Sequence, residues 1–133
     1  MPKLKKLDIS VTLQISKRLI ESDEAKYEGE VYKGKRHGKG KLESKIGYKY
    51  EGYFEKDEFN GQGTLITPSQ SRFCGEWKKG LLDGFGIEEW SNGDRYDGEF
   101  KNGKKDGEGM YAWEDHSIYK GEWKDDIMHG YVI

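Results

Sequence analysis

Residues 96–109 read YDGEFKNGKKDGEG, and the same frame of aromatic residues and glycines recurs through most of the chain. The first aromatic position of this frame is occupied in turn by Tyr27, Tyr50, Phe73, Tyr96 and Tyr119. These residues follow one another at intervals of 23, with no insertion or deletion. A fixed period of about 20–50 residues is the sequence signature of a repeat architecture. The chain therefore divides into an N-terminal extension, residues 1–26, and a repeat array, residues 27–133.

The composition favours a thin structure over a thick globular core. Of the 133 residues, 36% are charged and only 33% are hydrophobic, yet 14% are aromatic. Disordered chains are poor in aromatic residues. The apolar surface is therefore concentrated in rings at repeating positions, which suits a single sheet.

Glycine occupies fixed places in each repeat, which we number from its first aromatic residue as position 1. Positions 3 and 12 are glycine in all five repeats, and position 14 is glycine in four. We interpret positions 1–6 and 12–18 as two antiparallel strands joined by a loop at positions 7–11, with position 5 opposite position 12. Because side chains alternate along a strand, the aromatic residues at positions 1 and 5 then share a face with glycines 3, 12 and 14. Glycine leaves a flat backbone surface on which the rings lie.

Successive hairpins predict an all-β fold, an elongated and twisted single-layer antiparallel sheet of tandem β-hairpins. No hairpin buries its rings alone, so neighbouring repeats stabilise one another. Residues 8–16 alternate strictly between polar and apolar, which predicts an N-terminal capping strand over the edge of the first repeat. An amphipathic helix in this region is the alternative.

The frame Tyr-x-Gly-x-aromatic-x-x-Gly-x-x-x-Gly-x-Gly resembles the MORN repeat family. Residues 27–30, 35–40 and 96–103 are very close to its motif, and the resemblance covers residues 27–133. It implies a curved sheet of tandem hairpins and a scaffold or adaptor function, because MORN arrays occur beside catalytic domains and in ciliary and cytoskeletal proteins. The departures from the pattern are Val31 at an aromatic position, Asp57 and Asp126 in place of glycine, and Pro68 and Gln70 in a connecting loop.

The sequence predicts no catalytic, cofactor-binding or metal site. Nothing resembles a nucleophile triad. Cys74 is the only cysteine, which excludes a disulfide within the chain and a cysteine-based zinc site. His37 and His129 share position 11, but the strand spacing places them about 40 Å apart. We therefore expect a protein that is not an enzyme and carries no cofactor.

No stretch approaches the ~20 apolar residues that a membrane-spanning helix needs. Polar residues also interrupt any secretory signal near the N-terminus. We expect a cytoplasmic protein, and the resemblance implies the cytoskeleton or the cilium axoneme as its setting.

The ring-bearing face gains extra aromatic residues in the third and fourth repeats. Trp90 and Trp113 stand at position 18, where the first two repeats have Ser44 and Thr67. Tyr and Trp are favoured anchors at interfaces. The leading hypothesis is a non-catalytic scaffold that binds a helix or peptide of a partner protein along this concave face, within a larger assembly. The predicted groove comprises Phe54, Trp77, Trp90, Phe100, Tyr111, Trp113 and Trp123. The alternative is that these rings fill the curl of the sheet.

The opposite face is expected to be polar, and in the first repeat Glu28 faces Lys41 as a favourable cross-strand pair. Later repeats place apolar residues there, and an exposed apolar patch usually marks a contact. The predicted second contact patch comprises Phe85, Ile87, Met110, Tyr131 and Ile133. Packing under a loop or under the N-terminal segment is the alternative.

Charge is distributed unevenly along the chain. Residues 1–49 carry 13 Lys and Arg against 7 Asp and Glu, whereas residues 50–133 carry 10 against 18. A second hypothesis is therefore a membrane-surface module that binds acidic phospholipid, each basic residue contributing about 1 kcal/mol. The residues predicted to contact lipid are Lys33, Lys35, Arg36, Lys39 and Lys41; an ordinary solvated surface is the alternative. A third hypothesis is a regulatory subunit of a separate enzyme, and no nucleic-acid partner is expected.

Overall fold

A computed structural model describes residues 25–129 as one antiparallel sheet of ten strands, in which each strand pairs with its neighbours in the sequence. The strands are β1 (Lys26–Tyr32), β2 (Lys35–Glu43), β3 (Lys49–Glu55), β4 (Glu58–Ile66), β5 (Arg72–Lys78), β6 (Leu81–Glu89), β7 (Arg95–Lys101), β8 (Lys104–Ala112), β9 (Ile118–Lys124) and β10 (Ile127–His129). The predicted all-β fold of tandem hairpins is confirmed. The predicted capping strand at residues 8–16 lies outside the described residues.

Each hairpin closes through a two-residue turn, so the predicted five-residue loop at positions 7–11 is wrong. The turn occupies positions 7 and 8, and both residues have positive φ, for example 51° and 82° at Lys79 and Gly80. Two positive φ angles define a type I′ turn, whose twist matches that of the flanking strands. Position 8 holds only glycine or aspartate because these residues tolerate that conformation.

A bulge in the second strand of the four complete hairpins changes which residues face the rings. In the third repeat Gly75 pairs with Gly86, but Trp77 pairs with Leu82, so that one residue of β5 lies opposite three residues of β6. Position 5 therefore faces position 10, and the prediction that it faces position 12 is wrong. The consequence is that position 10, assigned above to a loop, contributes to the core.

Position 12 lies on the face opposite the rings, which corrects the prediction that its glycine supports them. The glutamate at position 4 accepts a hydrogen bond across the bulge: the backbone N–H of Glu108 donates to the carboxylate of Glu99 at 2.6 Å. A side chain on Gly107 would collide with that carboxylate, and the φ of Gly107 is +102°. In the complete repeats that have glutamate at position 4, the glycine at position 12 is thus required by the bulge and that carboxylate. In the second repeat Tyr53 takes the place of the glutamate, and a Cβ on Gly61 would lie 3.2 Å from the Cβ of Tyr53.

The core consists of the side chains at positions 1, 5, 10 and 16, which share one side of the sheet, here called the ring face. Tyr50 and Phe59 stack with their ring centroids 3.7 Å apart, and Trp77 packs edge-on against both. The Trp77 indole also donates a hydrogen bond to the backbone oxygen of Gly63 at 2.9 Å. Each aromatic residue at position 5 therefore ties its repeat to the preceding one.

The predicted support of the rings by glycines at positions 3 and 14 is confirmed. The Tyr50 hydroxyl donates to the backbone oxygen of Tyr53 at 2.8 Å, which holds its ring flat along the strands. A Cβ atom on Gly63 would lie 2.5 Å from Cζ of Tyr50. The tyrosine ring thus occupies the space that any side chain at position 14 would need.

Candidate functional site

Six of the seven residues of the predicted binding groove belong to the core. Phe54, Trp77, Phe100, Tyr111, Trp113 and Trp123 are each 0–4% exposed. The seventh, Trp90, is half-buried and packs edge-on against Phe73, with ring centroids 5.4 Å apart. A partner would have to displace this packing to reach the rings. Contact through the ring face therefore stays a prediction, and the exposed apolar side chains lie elsewhere.

The first repeat differs from its successors at position 5. Val31 is 65% exposed, whereas the residues at the same position of the four later repeats are 2–4% exposed. In those repeats the position 5 ring packs against the repeat before it. Val31 and the neighbouring Tyr32, which is 59% exposed, project from opposite faces of the sheet at the end of the first hairpin. With Lys33 and the facing Lys35 of β2 they form what is here called the tip.

Two lysines flank the apolar side chains of this tip, since Lys33 is in the turn and Lys35 pairs with Tyr32. Lys39 and Lys41 are also exposed but lie farther along β2, where the Lys41 ammonium is 3.3 Å from the Glu43 carboxylate. The Lys33 ammonium lies 5.3 Å from the centroid of the Tyr32 ring. Arg36, the fifth residue predicted to contact lipid, is half-buried and lies 3.4 Å from the Asp57 carboxylate, so it is partly committed to the fold.

The opposite side of the sheet, here called the outer face, carries the predicted second contact patch. Phe85 is 67% exposed, and Ile87 and Met110 are half-buried. The other two members of the predicted patch, Tyr131 and Ile133, lie outside the described residues. Phe85 is thus the prominent apolar side chain at the centre of this face.

Phe85 and Ile87 line a depression of about 520 Å³ that crosses the second to fourth repeats, here called the trough. Its lining also includes the Cys74 thiol and, at either end, the carboxylates of Glu51 and Asp97. No basic side chain occurs among the described residues that line it. Burial raises the pKa of the Cys74 thiol, which keeps it protonated and slow to react. Gln62 and Thr64 of β4 line the other side of Cys74 from Phe85 and Ile87. The trough is therefore apolar on its β6 side, polar on its β4 side and acidic at its ends.

The ring face contains a buried ion cluster that was not predicted from the sequence. The Lys105 side chain is 0% exposed, and its Nζ lies 3.3 Å from Oε2 of Glu88 and 3.7 Å from Oδ1 of Asp126. The rings of Tyr96, Tyr111 and Trp123 surround the ammonium with centroids 5.4–5.9 Å away. Burial raises the pKa of the Glu88 carboxyl, and the Lys105 ammonium opposes that shift.

The cluster follows a rule that links neighbouring repeats. The Asp126 carboxylate accepts a hydrogen bond from the backbone N–H of Lys105 at 2.8 Å, and Asp57 does the same for Arg36 at 2.7 Å. An aspartate at position 8 thus pairs with a basic residue at position 10 of the preceding repeat. Where position 8 is glycine, position 10 of the preceding repeat is apolar. One repeat before the cluster, the positions of Glu88, Lys105 and Asp126 hold Leu65, Leu82 and Gly103.

This pairing signal is present in the sequence. Asp57 and Asp126 are the two residues that replace glycine at position 8, and each comes 21 residues after a basic residue. The ion cluster is enclosed by rings and has no exposed entrance at Lys105. Its contacts tie the fifth repeat, through Asp126, to the third and fourth repeats, through Glu88 and Lys105.

Residues 25–129 contain no group of three His, Cys, Asp or Glu side chains placed to hold a metal ion. Within the same residues no helix is long and apolar enough to cross a membrane.

The comparison with family models identifies the repeat. The model of the MORN repeat matches residues 27–47, 50–72, 73–95, 96–118 and 119–131, which agree in phase with the hairpins described above. No curated protein compared with the chain matches it. MORN repeats are in general modules of interaction with proteins or membranes and have no enzymatic activity of their own.

Proposed function

Since the chain belongs to the MORN repeat family, we propose that it is a non-catalytic scaffold that binds a protein segment through the trough on its outer face. The observation that carries the proposal is the exposure of Phe85, at 67%, on a sheet whose other large rings are mostly buried. An exposed aromatic side chain beside a depression of this size is a typical anchor point of a protein interface. The proposal includes assembly into a larger complex, in the cytoskeleton or cilium, or beside a separate enzyme.

The Phe85 anchor is tested by purifying partners from the source cell with variant baits. Phe85→Lys is expected to weaken capture about thirtyfold, because an anchor side chain contributes about 2 kcal/mol or more. Ile118→Lys is the matched control, since Ile118 is also exposed, at 52%, and lies outside the trough. Partners should be recovered equally with the wild type and Ile118→Lys. Equal recovery of partners with Phe85→Lys would contradict the proposal.

A second candidate function is binding to acidic phospholipid through the tip of the first hairpin. Val31 and Tyr32 are exposed beside Lys33 and Lys35, and Lys39 and Lys41 are exposed farther along β2, a combination that suits the charged and partly apolar surface of a membrane. In low salt, the wild type is expected to sediment with vesicles that contain acidic lipid and not with neutral vesicles. The variant with Lys33, Lys35, Lys39 and Lys41 changed to Gln should remain in solution. Absence of sedimentation by the wild type rules this function out.

A further inference from the structure

We infer that the trough accepts the tip of the first hairpin of a second copy of this chain, so that copies associate head to tail. The inference rests on the proposed function of the trough and names its occupant. The tip consists of Val31, Tyr32 and Lys33 with the facing Lys35 of β2. Each copy carries one tip and one trough, at different places along the sheet.

The exposed side chains of the tip suit insertion into the trough. Its two apolar side chains, Val31 and Tyr32, project at the end of a hairpin and are 65% and 59% exposed. The Tyr32 ring lies 5.6 Å from the His37 ring and 5.3 Å from the Lys33 ammonium, so its position is supported from two sides. The tip therefore presents an exposed aromatic side chain flanked by the positive charges of Lys33 and Lys35.

The trough has the complementary chemistry. Its apolar side at Phe85 and Ile87 suits an aromatic ring, and the side chains of Gln62 and Thr64 opposite suit a tyrosine hydroxyl. Its volume of about 520 Å³ is in the range of about 300–1,000 Å³ typical of binding pockets. The carboxylates of Glu51 and Asp97 stand at its two ends, where they would meet lysines that flank an inserted ring. The Glu76 carboxylate, which accepts a hydrogen bond from the backbone N–H of Phe85 at 3.3 Å, adds negative charge beside it.

The charge of whole repeats matches this arrangement. The first repeat, residues 27–49, has 7 Lys and Arg against 3 Asp and Glu, whereas residues 73–118 have 6 against 11. Opposite potentials steer two copies into this orientation and disfavour contact between like ends. A protein partner of unrelated sequence must bring its own basic and aromatic residues, but a second copy already has them.

The contact joins two different surfaces, and such heterologous contacts extend into open chains unless they close into a ring. The interface is small, because it involves one hairpin tip, and small interfaces are weak and transient. We expect a dissociation constant on the order of tens of micromolar. The association should weaken with salt, because the Debye length falls from about 10 Å at 0.1 M to about 3 Å at 1 M.

Sedimentation of the wild-type protein tests the association. At about 0.1 M salt, the average mass is expected to rise from 15.4 kDa to at least twice that value between about 1 µM and about 1 mM protein. At about 1 M salt, the same rise should need roughly tenfold more protein. A mass of 15.4 kDa throughout this range overturns the inference.

Two variants test which surfaces meet. Phe85→Lys blocks the trough and Tyr32→Glu blocks the tip, so each variant alone should remain monomeric, while Ile118→Lys should associate like the wild type. An equal mixture of the two blocked variants should form a dimer, because one retains an intact tip and the other an intact trough. A mixture that stays monomeric contradicts head-to-tail pairing. Unchanged circular dichroism and urea midpoints confirm that the exposed substitutions leave the fold intact.

Alkylation of Cys74 shows which copy provides the trough. In the mixture, Cys74 of the Tyr32→Glu copy should be protected from iodoacetamide, while Cys74 of the Phe85→Lys copy should react at its monomer rate. Mass spectrometry separates the two copies by their masses. Equal protection of both copies, or of neither, overturns the assignment.

If the wild type is monomeric but cellular partners are still lost with Phe85→Lys, the inference fails and the proposed function stands.

Discussion

Replacing Lys105 with alanine is expected to lower the free energy of unfolding by about 3–5 kcal/mol. The substitution leaves the Glu88 carboxylate, which is 2% exposed, without its ammonium 3.3 Å away. An uncompensated buried charge costs far more than the pair it came from contributes. Urea unfolding followed by tryptophan fluorescence measures the change. Lys104→Ala is the matched control, since Lys104 is the neighbouring residue in β8, at the less buried end beside the turn, and its removal should change stability by less than ~0.5 kcal/mol.

Replacing the whole ion cluster with apolar residues is expected to have the opposite outcome for stability from removing Lys105 alone. The triple variant Glu88→Leu, Lys105→Leu and Asp126→Gly installs the residues that stand at these positions one repeat earlier. Well-packed apolar residues often replace a buried ion cluster without loss of stability. We expect the triple variant to unfold within about 1 kcal/mol of the wild type, or at a higher free energy. A triple variant as unstable as Lys105→Ala would show that the ions contribute net stability.

Replacing Gly63 with alanine is expected to destabilise the protein by about 3 kcal/mol. The added Cβ would lie 2.5 Å from Cζ of Tyr50, whose ring is 0% exposed and stacked on Phe59. The ring cannot withdraw without breaking its stack and its hydroxyl hydrogen bond to the backbone. Thermal unfolding by circular dichroism should show a midpoint lower by about 10 °C or more.

The control for Gly63 is a glycine that has space around it. No atom lies within 4 Å of a Cβ built on Gly34, at position 8 of the first repeat, and its φ is +76°. Asparagine tolerates that conformation, so Gly34→Asn should change stability by less than about 1 kcal/mol. If Gly63→Ala is no worse than Gly34→Asn, the close approach of ring and backbone is not what fixes glycine at position 14.

The fold was predictable because each repeat forms one hairpin, and residues within that repeat determine how its two strands pair. Gly52 and Gly63 pair across β3 and β4, as the sequence indicated, and Tyr50 pairs with Leu65 beside them. These positions lie on the side of the bulge away from the turn, where simple alternation holds. Beyond the bulge alternation fails, because one residue of the first strand lies opposite three of the second.

The error at position 10 has a physical reason. A five-residue loop and a two-residue turn followed by a bulge use the same number of residues and the same glycines. The apolar side chains of Phe59 and Leu82, which are 0% and 3% exposed, were the available sign that this stretch belongs to the core. Position 10 of the fourth repeat is Lys105, which hid the pattern because lysine is seldom buried unless it is paired.

The sequence alone did not show whether the aromatic rings are exposed in a groove or buried in a core. Aromatic residues at a regular spacing are equally consistent with a groove that binds a partner and with a core that the repeats close by themselves. The difference depends on how far each repeat covers the next, as Tyr50 and Phe59 cover Trp77. Val31 shows the same dependence, because it stands at position 5 and remains exposed.

The central claim is that the ring face is a closed core and that the outer face around Phe85 makes the contacts. Oxidative labelling of the aromatic side chains by hydroxyl radicals, read by mass spectrometry, tests both halves in one measurement on the dilute and the associated or partner-bound protein. We predict that Phe85 is labelled in the dilute protein and protected on association, while Trp77 and Trp113 are scarcely labelled in either state. Strong labelling of Trp77 and Trp113 in the dilute protein, lost on association, would contradict the account.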